Sequence, residues 1–436
     1  MSGGIISKLE KMLITWTCLA GLLAACAAPP SPPAAVSSPL PTSTEAPPTT
    51  TAIPLPPTPT STPQPLSGFF TIQMFNQAEG WATTVSTDNT SRLLRTGDGG
   101  QTWSDVTPAI LPTGSLVEFF LSENSAWAFS YTDPARGLAH TVDAGKTWQM
   151  LPGLPIPADF VATAIAFQDE DNGWFKFASP GAGTSDIGFF TTRDGGSSWS
   201  QAMLTAPPGL FDLSLSAIPG TLHTCTMCRD VIYFDLDRVM VVYGDLNAPG
   251  TPSNTLTLSI SMDVGRTWKD LKLTPPASGV INENELPLPP VFFDRNDGLL
   301  PFGFVKYDAA LNIGQTQLIV YATHDGGLTW ESFANSLVQN VNVLKAQDLI
   351  DFVSPQTAFV PCGSDLCATN DGGRTWQTVK SNLNYSAESG TEYVQRMDFV
   401  DSNTGWAITT NGNDYNLWKT LDGGASWEKL SSTIVP

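Results

Sequence analysis

The chain has 436 residues, of which 14% are charged, and a formal net charge of −20. An acidic surface of that size repels nucleic acid and anionic membrane surfaces, which excludes both as electrostatic partners and favours cationic partners or neutral glycans. No long helical periodicity runs through the sequence, and its 37 glycines punctuate it as a series of turns.

Residues 1–26 read as a lipoprotein signal. Lys8 and Lys11 form a basic start, and the apolar stretch from Met12 to Ala25 is too short to span a bilayer as a helix. It ends Leu23-Ala24-Ala25-Cys26, which resembles the bacterial lipobox, in which the cysteine is acylated and becomes the mature N-terminus. The alternatives are a cleaved secretory signal or a short uncleaved anchor, and each also places the body of the chain outside the cytoplasm. Residues 27–66 are Pro, Ser, Thr and Ala with a single charge, Glu45. Such a segment cannot bury enough surface to offset its ordering entropy, so it is expected to be a disordered, extended tether.

From residue 67 to 436 one pattern recurs seven times: Ser/Thr-x-Asp-x-Gly-x-Thr/Ser-Trp. Its aspartates are Asp98, Asp143, Asp194, Asp263, Asp325, Asp371 and Asp422; its tryptophans are Trp103, Trp148, Trp199, Trp268, Trp330, Trp376 and Trp427. Successive spacings are 45, 51, 69, 62, 46 and 51 residues, and an apolar residue stands five before every aspartate. Asp-Gly between two alternating runs is a hairpin signal, because Gly takes positive φ and Asp binds nearby backbone N–H groups. A buried Trp removes roughly 150–250 Å² from water, worth on the order of 4–6 kcal/mol at ~25 cal/mol/Å². The tryptophan is therefore expected to glue repeat to repeat, and the aspartate to shape a turn between strands three and four.

A second motif precedes each turn. Met74 stands seven before Trp81, Phe120 before Trp127, Phe167 before Trp174 and Phe399 before Trp406; Phe292 with Leu299 and Phe352 with Phe359 are weaker versions. In the fourth repeat only Phe234 with Val241 keeps that spacing. These read as strands one and two. Seven four-stranded antiparallel units of about 50 residues make an all-β, single seven-bladed β-propeller. The ring closure is left to Ser67–Thr71 or to 431–436.

Two repeats are long, with extra residues at about 207–230 and 275–290. Loops that run from strand four to the next blade, and from strand two to three, leave on the face opposite the aspartate turns, so a binding site is expected there. Candidates are Arg136, His223, Arg229, Glu283 and Glu285, with Asp133, Asp186, Asp230, Asn282, Tyr307 and Asn413 also expected to be exposed. The bland alternative for each is an ordinary solvated loop residue. Cys225, Cys228, Cys362 and Cys367 are disulfide candidates in an oxidising compartment. Cys225 and Cys228 could instead form a redox pair, or half a metal site with His223.

The unit from Met397-Asp398-Phe399 through Gly405-Trp406 to Thr420–Trp427 resembles the repeat of the photosystem II assembly/stability factor family of propellers. The resemblance covers 67–436 at the level of repeats. The same Asp-box (BNR) turn is shared with sialidases, sortilin-type receptors and xyloglucan-cleaving hydrolases, so it specifies fold better than function. The resemblance implies a non-enzymatic binding or assembly propeller without cofactor or metal, here a lipid-anchored monomer with a protein or glycan ligand. The alternative is a sialidase-like glycoside hydrolase acting on extracellular glycans. That chemistry needs three arginines gripping a carboxylate, and no Arg-Ile-Pro motif precedes the first turn. Arg92, Arg136, Arg229, Arg238, Arg295 and Arg396 are the arginines away from the turns.

Overall fold

The computed structural model describes residues 64–65, 68–85, 90–130, 137–157, 160–179, 186–205, 221–223, 230–235, 237–243, 256–273, 286–308, 313–332, 338–339, 349–386, 391–412 and 414–435. They form seven sheets, each built on four consecutive antiparallel strands: a seven-bladed β-propeller. The first strands are Phe69–Met74, Leu116–Phe120, Val161–Phe167, Asp230–Asp235, Val291–Phe292, Asp351–Phe352 and Tyr393–Phe399. Neighbouring first strands pack on one another, Val161–Phe167 on Leu116–Phe120 and Phe69–Met74 on Tyr393–Phe399, and so make the inner wall of the ring.

The seven aspartate turns share one hydrogen-bond scheme. In the first, the Thr96 hydroxyl donates to Asp98 Oδ1 (2.9 Å) and accepts from the Gly100 N–H (3.0 Å). Asp98 in turn accepts from the backbone N–H (2.8 Å) and hydroxyl (2.6 Å) of Thr102. The scheme recurs at Asp143, Asp194, Asp263, Asp325, Asp371 and Asp422. The turn needs positive φ after the aspartate, which Gly supplies at 99, 195, 326, 372 and 423 without steric cost. Ala144 and Val264 take φ 61° in the other two copies, a conformation an L side chain resists.

Each turn packs on the blade before it. Trp103 lies in one core cluster with Trp406 and Leu417 of the seventh blade, and Trp427 in another with Phe359 and Leu366 of the sixth. Where the turn is Gly-Gly, Trp103, Trp199, Trp330 and Trp427 donate to the second glycine's carbonyl at 2.9–3.1 Å. In the two turns without that first glycine, Trp148 and Trp268 donate back to the carbonyls of Val106 and Thr205. Trp376 Nε1, in the sixth turn, is buried without an acceptor.

Three expectations are corrected. The Trp slot of the fourth blade belongs to Met240, not Val241: Phe234 pairs with Val239 and Tyr233 with Met240. An arginine after Asp237 takes over the indole's polar work, so the spacing slips by one. The tether was expected to run to residue 66, but Gln64–Pro65 pair with Thr433–Val435, which lie parallel to Thr102–Asp105 on the rim of the first blade. The C-terminal strand thus closes the ring from outside. Finally, the 207–230 insertion does not simply precede blade four: Leu222–His223 return to pair with Asp186–Ile187 on the outer edge of blade three.

Candidate functional site

Blade five stands taller than the rest. Its second and third strands, Gly298–Asp308 and Ile313–Thr323, have 11 residues each, against 5 to 7 in the second strands elsewhere. Thr323 opens the aspartate turn and pairs with Gly298, so the four or more extra residues rise on the opposite face, by roughly 13 Å at ~3.3 Å per residue. Both edges of this hairpin are completed in two pieces. On the inner side Leu286–Pro287 and Val291–Phe292 flank Pro289 and Pro290, which have no N–H for the ladder. On the outer side Glu331–Ser332 are followed by Val338–Gln339. Blade three receives Leu222–His223 in the same way, so added structure gathers over blades three to five, on the face away from the turns.

The inner wall carries the most perturbed carboxyl. Glu118, on the first strand of blade two, keeps part of its surface open, yet the strands around it desolvate the carboxyl and push its pKa up to about 7. A hydrogen bond from Thr83 and the positive charge of Arg396 oppose that shift. Arg396 follows a β-bulge at Gln395 on the first strand of blade seven, and Gln395 Oε1 is buried without a donor. Equivalent bulges interrupt the first strands of blades one and three, at Phe70 and Thr163. Below them, buried Asp398 accepts from the Met74 N–H (2.6 Å) and buried Asp351 from the Phe399 N–H, tying first strand to first strand around the ring.

Arg136, Arg229, Glu283, Glu285, Asp133, Asn282 and Asn413 lie outside the described residues, as do Cys26, Cys225 and Cys228; of His223, Asp230 and Tyr307 only the backbone is described. Asp186, expected to be exposed, is buried: its backbone pairs with His223 and its N–H donates to the Ser179 hydroxyl. Cys362 and Cys367 form a disulfide with an S–S distance of 2.05 Å. Among the described residues, the arginines away from the turns do not form one group. Arg92 is on an outer surface with Asp105, Arg295 pairs with Asp237, and Arg238 is 2% exposed. The guanidinium of Arg238 donates to the Arg295 and Gly326 carbonyls (3.1 Å each) and to Asp235 (2.8 Å), 3.6 Å from the centre of the Phe292 ring. Among the described residues, no group of three or more His, Cys, Asp or Glu has the arrangement of a metal site. Sequence reasoning named Arg396 only as one of six arginines away from the turns and missed Glu118, whose carboxyl feels the Arg396 charge only once blades seven, one and two stand side by side in the ring.

Neither a scan against protein-family models nor a search of curated proteins finds a match. Solved structures of similar fold include YCF48 bound to a D1 peptide, 16% identical over 82% of this chain and 92% of that one, with a TM-score of 0.42. The β-propeller domain of the trilobed protease from Pyrococcus furiosus is 7% identical over 83% and 97%, at 0.47. A polysaccharide lyase, an ulvan lyase, is 10% identical over 83% and 95%, at 0.46. These likenesses stop at the fold.

Proposed function

We propose that this chain is a lipid-anchored, extracytoplasmic binding propeller without catalytic activity, holding a protein or glycan on the face opposite its aspartate turns. The reading takes those turns as Asp-boxes, structural units repeated in every blade. The observation that carries it is the extended hairpin of blade five, with an added strand on blade three: among the described residues, this added structure rises on the face away from the turns. Glu118, Gln395 and Arg396 are polar groups on the inner wall that a ligand reaching into the ring would meet. The lipobox-like Leu23–Cys26 sequence and the Pro/Thr-rich segment after it support a position at a membrane surface.

Two measurements test this. Metabolic labelling with an alkyne fatty acid is expected to mark the wild type and not Cys26→Ser, and the label should fractionate with membranes; an unlabelled wild type would end the anchor. A panel of fluorogenic glycosides, sialosides included, is expected to show no turnover. Turnover lost on changing Glu118 or Arg396 would make the chain a glycosidase instead.

A further inference from the structure

Three seams between blades share a layered slot. In blades one, two and seven an aromatic residue stands on the second strand, its cross-strand neighbour on the third strand covers it from solvent, and the next blade backs it. Trp127 is the fullest case, with His140 stacked on one side at 4.0 Å and Phe167 of the next blade on the other at 3.7 Å. Trp81 has Arg95 across the sheet, 5.6 Å from the ring centre, and Phe120 of the next blade at 5.1 Å. Trp406 has Lys419, with Nζ 4.7 Å from the ring centre. The indole N–H of each reaches the next blade: Trp127 donates to the Gly195 carbonyl (3.1 Å), Trp406 to Gly99 (2.9 Å) and Trp81 to Ser122 (3.0 Å). Gly99 and Gly195 are the residues that follow the aspartate of the turn.

Blades three, four and six vary the pattern, with Thr191 across from Trp174, Arg238 on the Phe292 ring beside a Met240–Ile260 pair, and Phe359 stacked on Phe399 across from Ala368; blade five has neither an aromatic ring nor a guanidinium in the slot. Leu299 stands where the tryptophan would be, and its cross-strand neighbour is Ala322 instead of an arginine, lysine or histidine. Leu299 is buried in one core cluster with Phe352 of blade six, while the turn of that blade keeps its usual form. Gly372 follows Asp371 with φ +74° and donates its own N–H to Gln356, as Gly195 does to Asp171, so its carbonyl is presented in the same way. No side-chain donor among the described residues reaches that carbonyl. The missing volume is a cleft floored by Leu299, Ala322 and Phe293, walled by Pro355 and Gly372, with His324 and Arg374 at its mouth. Its cavity volume is about 70 Å³, and it opens to solvent at that mouth.

We propose that this cleft between blades five and six is a binding site for a planar aromatic ring bearing an N–H donor, the indole class. The ring slides between the Leu299–Ala322 pair and the sixth blade, its edge in the cavity and its body in the mouth, and its N–H meets the Gly372 carbonyl. The fold supplies the argument: three other seams hold this group in this place, covalently attached. Polar groups at the mouth are already engaged, His324 with Asp297 (2.6 Å) and Arg374 with the Asp371 carbonyl (3.1 Å). They therefore frame the entrance and leave the floor apolar, as in other ligand clefts. The site lies on a different surface from the ligand face proposed above and stands independently of it.

Ligand-observed NMR and calorimetry with the full chain and indole test the proposal. Saturable binding is expected, at least tenfold tighter for indole than for indene, which has the same shape and no N–H. Leu299→Trp should fill the slot from within, raise the melting temperature and abolish indole binding; Ala322→Arg should block the mouth with the same loss if Leu299→Trp does not fold. N-acetyltryptophanamide binding as well as indole would identify a tryptophan side chain as the natural occupant, and binding of indole alone a free small aromatic. No saturable binding, equal affinity for indene, or binding that survives both substitutions would overturn it.

Discussion

Arg238 separates a structural reading from a functional one, and its removal can be worked through from contacts. Arg238→Met keeps the aliphatic stem against Phe292 but deletes the guanidinium. That takes away one charge-assisted bond to Asp235 (2.8 Å) and two to backbone carbonyls (3.1 Å each), all away from bulk water. Breaking one side of a buried ion pair costs ~3–5 kcal/mol, because the other charge is stranded. Asp235 keeps 19% side-chain exposure, so the lower end applies, about 3 kcal/mol. Burial already raises the Asp235 pKa and Arg238 holds it down; without the arginine the carboxyl should protonate more readily, and the deficit should shrink as pH falls. Asp235→Asn with Arg238→Met removes both charges and should recover part of the loss. The residual is set by two carbonyls without donors, at ~1 kcal/mol each. The assay is urea denaturation followed by tryptophan fluorescence, comparing midpoints at unchanged slope. A single variant within about 0.5 kcal/mol of wild type, the range of an ordinary surface change, would refute the buried lock and return Arg238 to the substrate-gripping arginines.

Four further outcomes are expected. Trp427→Phe should cost about 1 kcal/mol for its lost bond to Gly424 beyond the change in ring size, whereas Trp376→Phe, whose Nε1 has no acceptor, should be close to neutral on that account; equal costs would mean the indole bonds do not matter. All seven turn aspartates have depressed pKa values, Asp263 to about 2 through its bonds from Thr267. Their stabilisation is therefore complete above the unfolded value near 3.8 and is lost as pH falls toward 2, so Asp263→Asn should lessen the acid sensitivity of the melting temperature between those limits. Glu118 has the opposite sign: the folded state holds its proton longer, so its contribution falls as pH rises from the ordinary 4.5 to about 7, and Glu118→Gln should flatten the melting profile in that window. Changing Cys362 and Cys367 to Ser opens a loop of sequence separation 5 and should cost roughly 2 kcal/mol, read as a lower urea midpoint.

The blades were legible in the sequence because each turn is a local device: Thr96, Asp98, Gly100 and Thr102 find their partners within six residues of one another. What lay beyond reach was any pairing made across a long excursion. Leu222–His223 returning to blade three, and Thr433–Val435 crossing to blade one, depend on edges that become neighbours only after the ring exists. The blade-four slip has a similar cause. Seven-residue spacing pointed to Val241, but the hydrogen-bond donor had moved two positions before the true slot residue, to Arg238, and no periodic rule marks that exchange. The cleft of blade five was half visible as Gly298-Leu299, a tryptophan motif without its tryptophan. The absence becomes a space only when the register sets Ala322 opposite.

The pairing of Gln64–Pro65 with Thr433–Val435 fixes more than the closure of the ring. The chain leaves the disc at its rim, beside the first blade, and not from either flat face. Were the proposed tether to Cys26 to hold the chain there, the disc would hang edge-on, like a medallion from its chain, with both faces open. Tension along that tether would act first on two strands of two and three residues at the seam, so the fastening is also the place where the ring would begin to open.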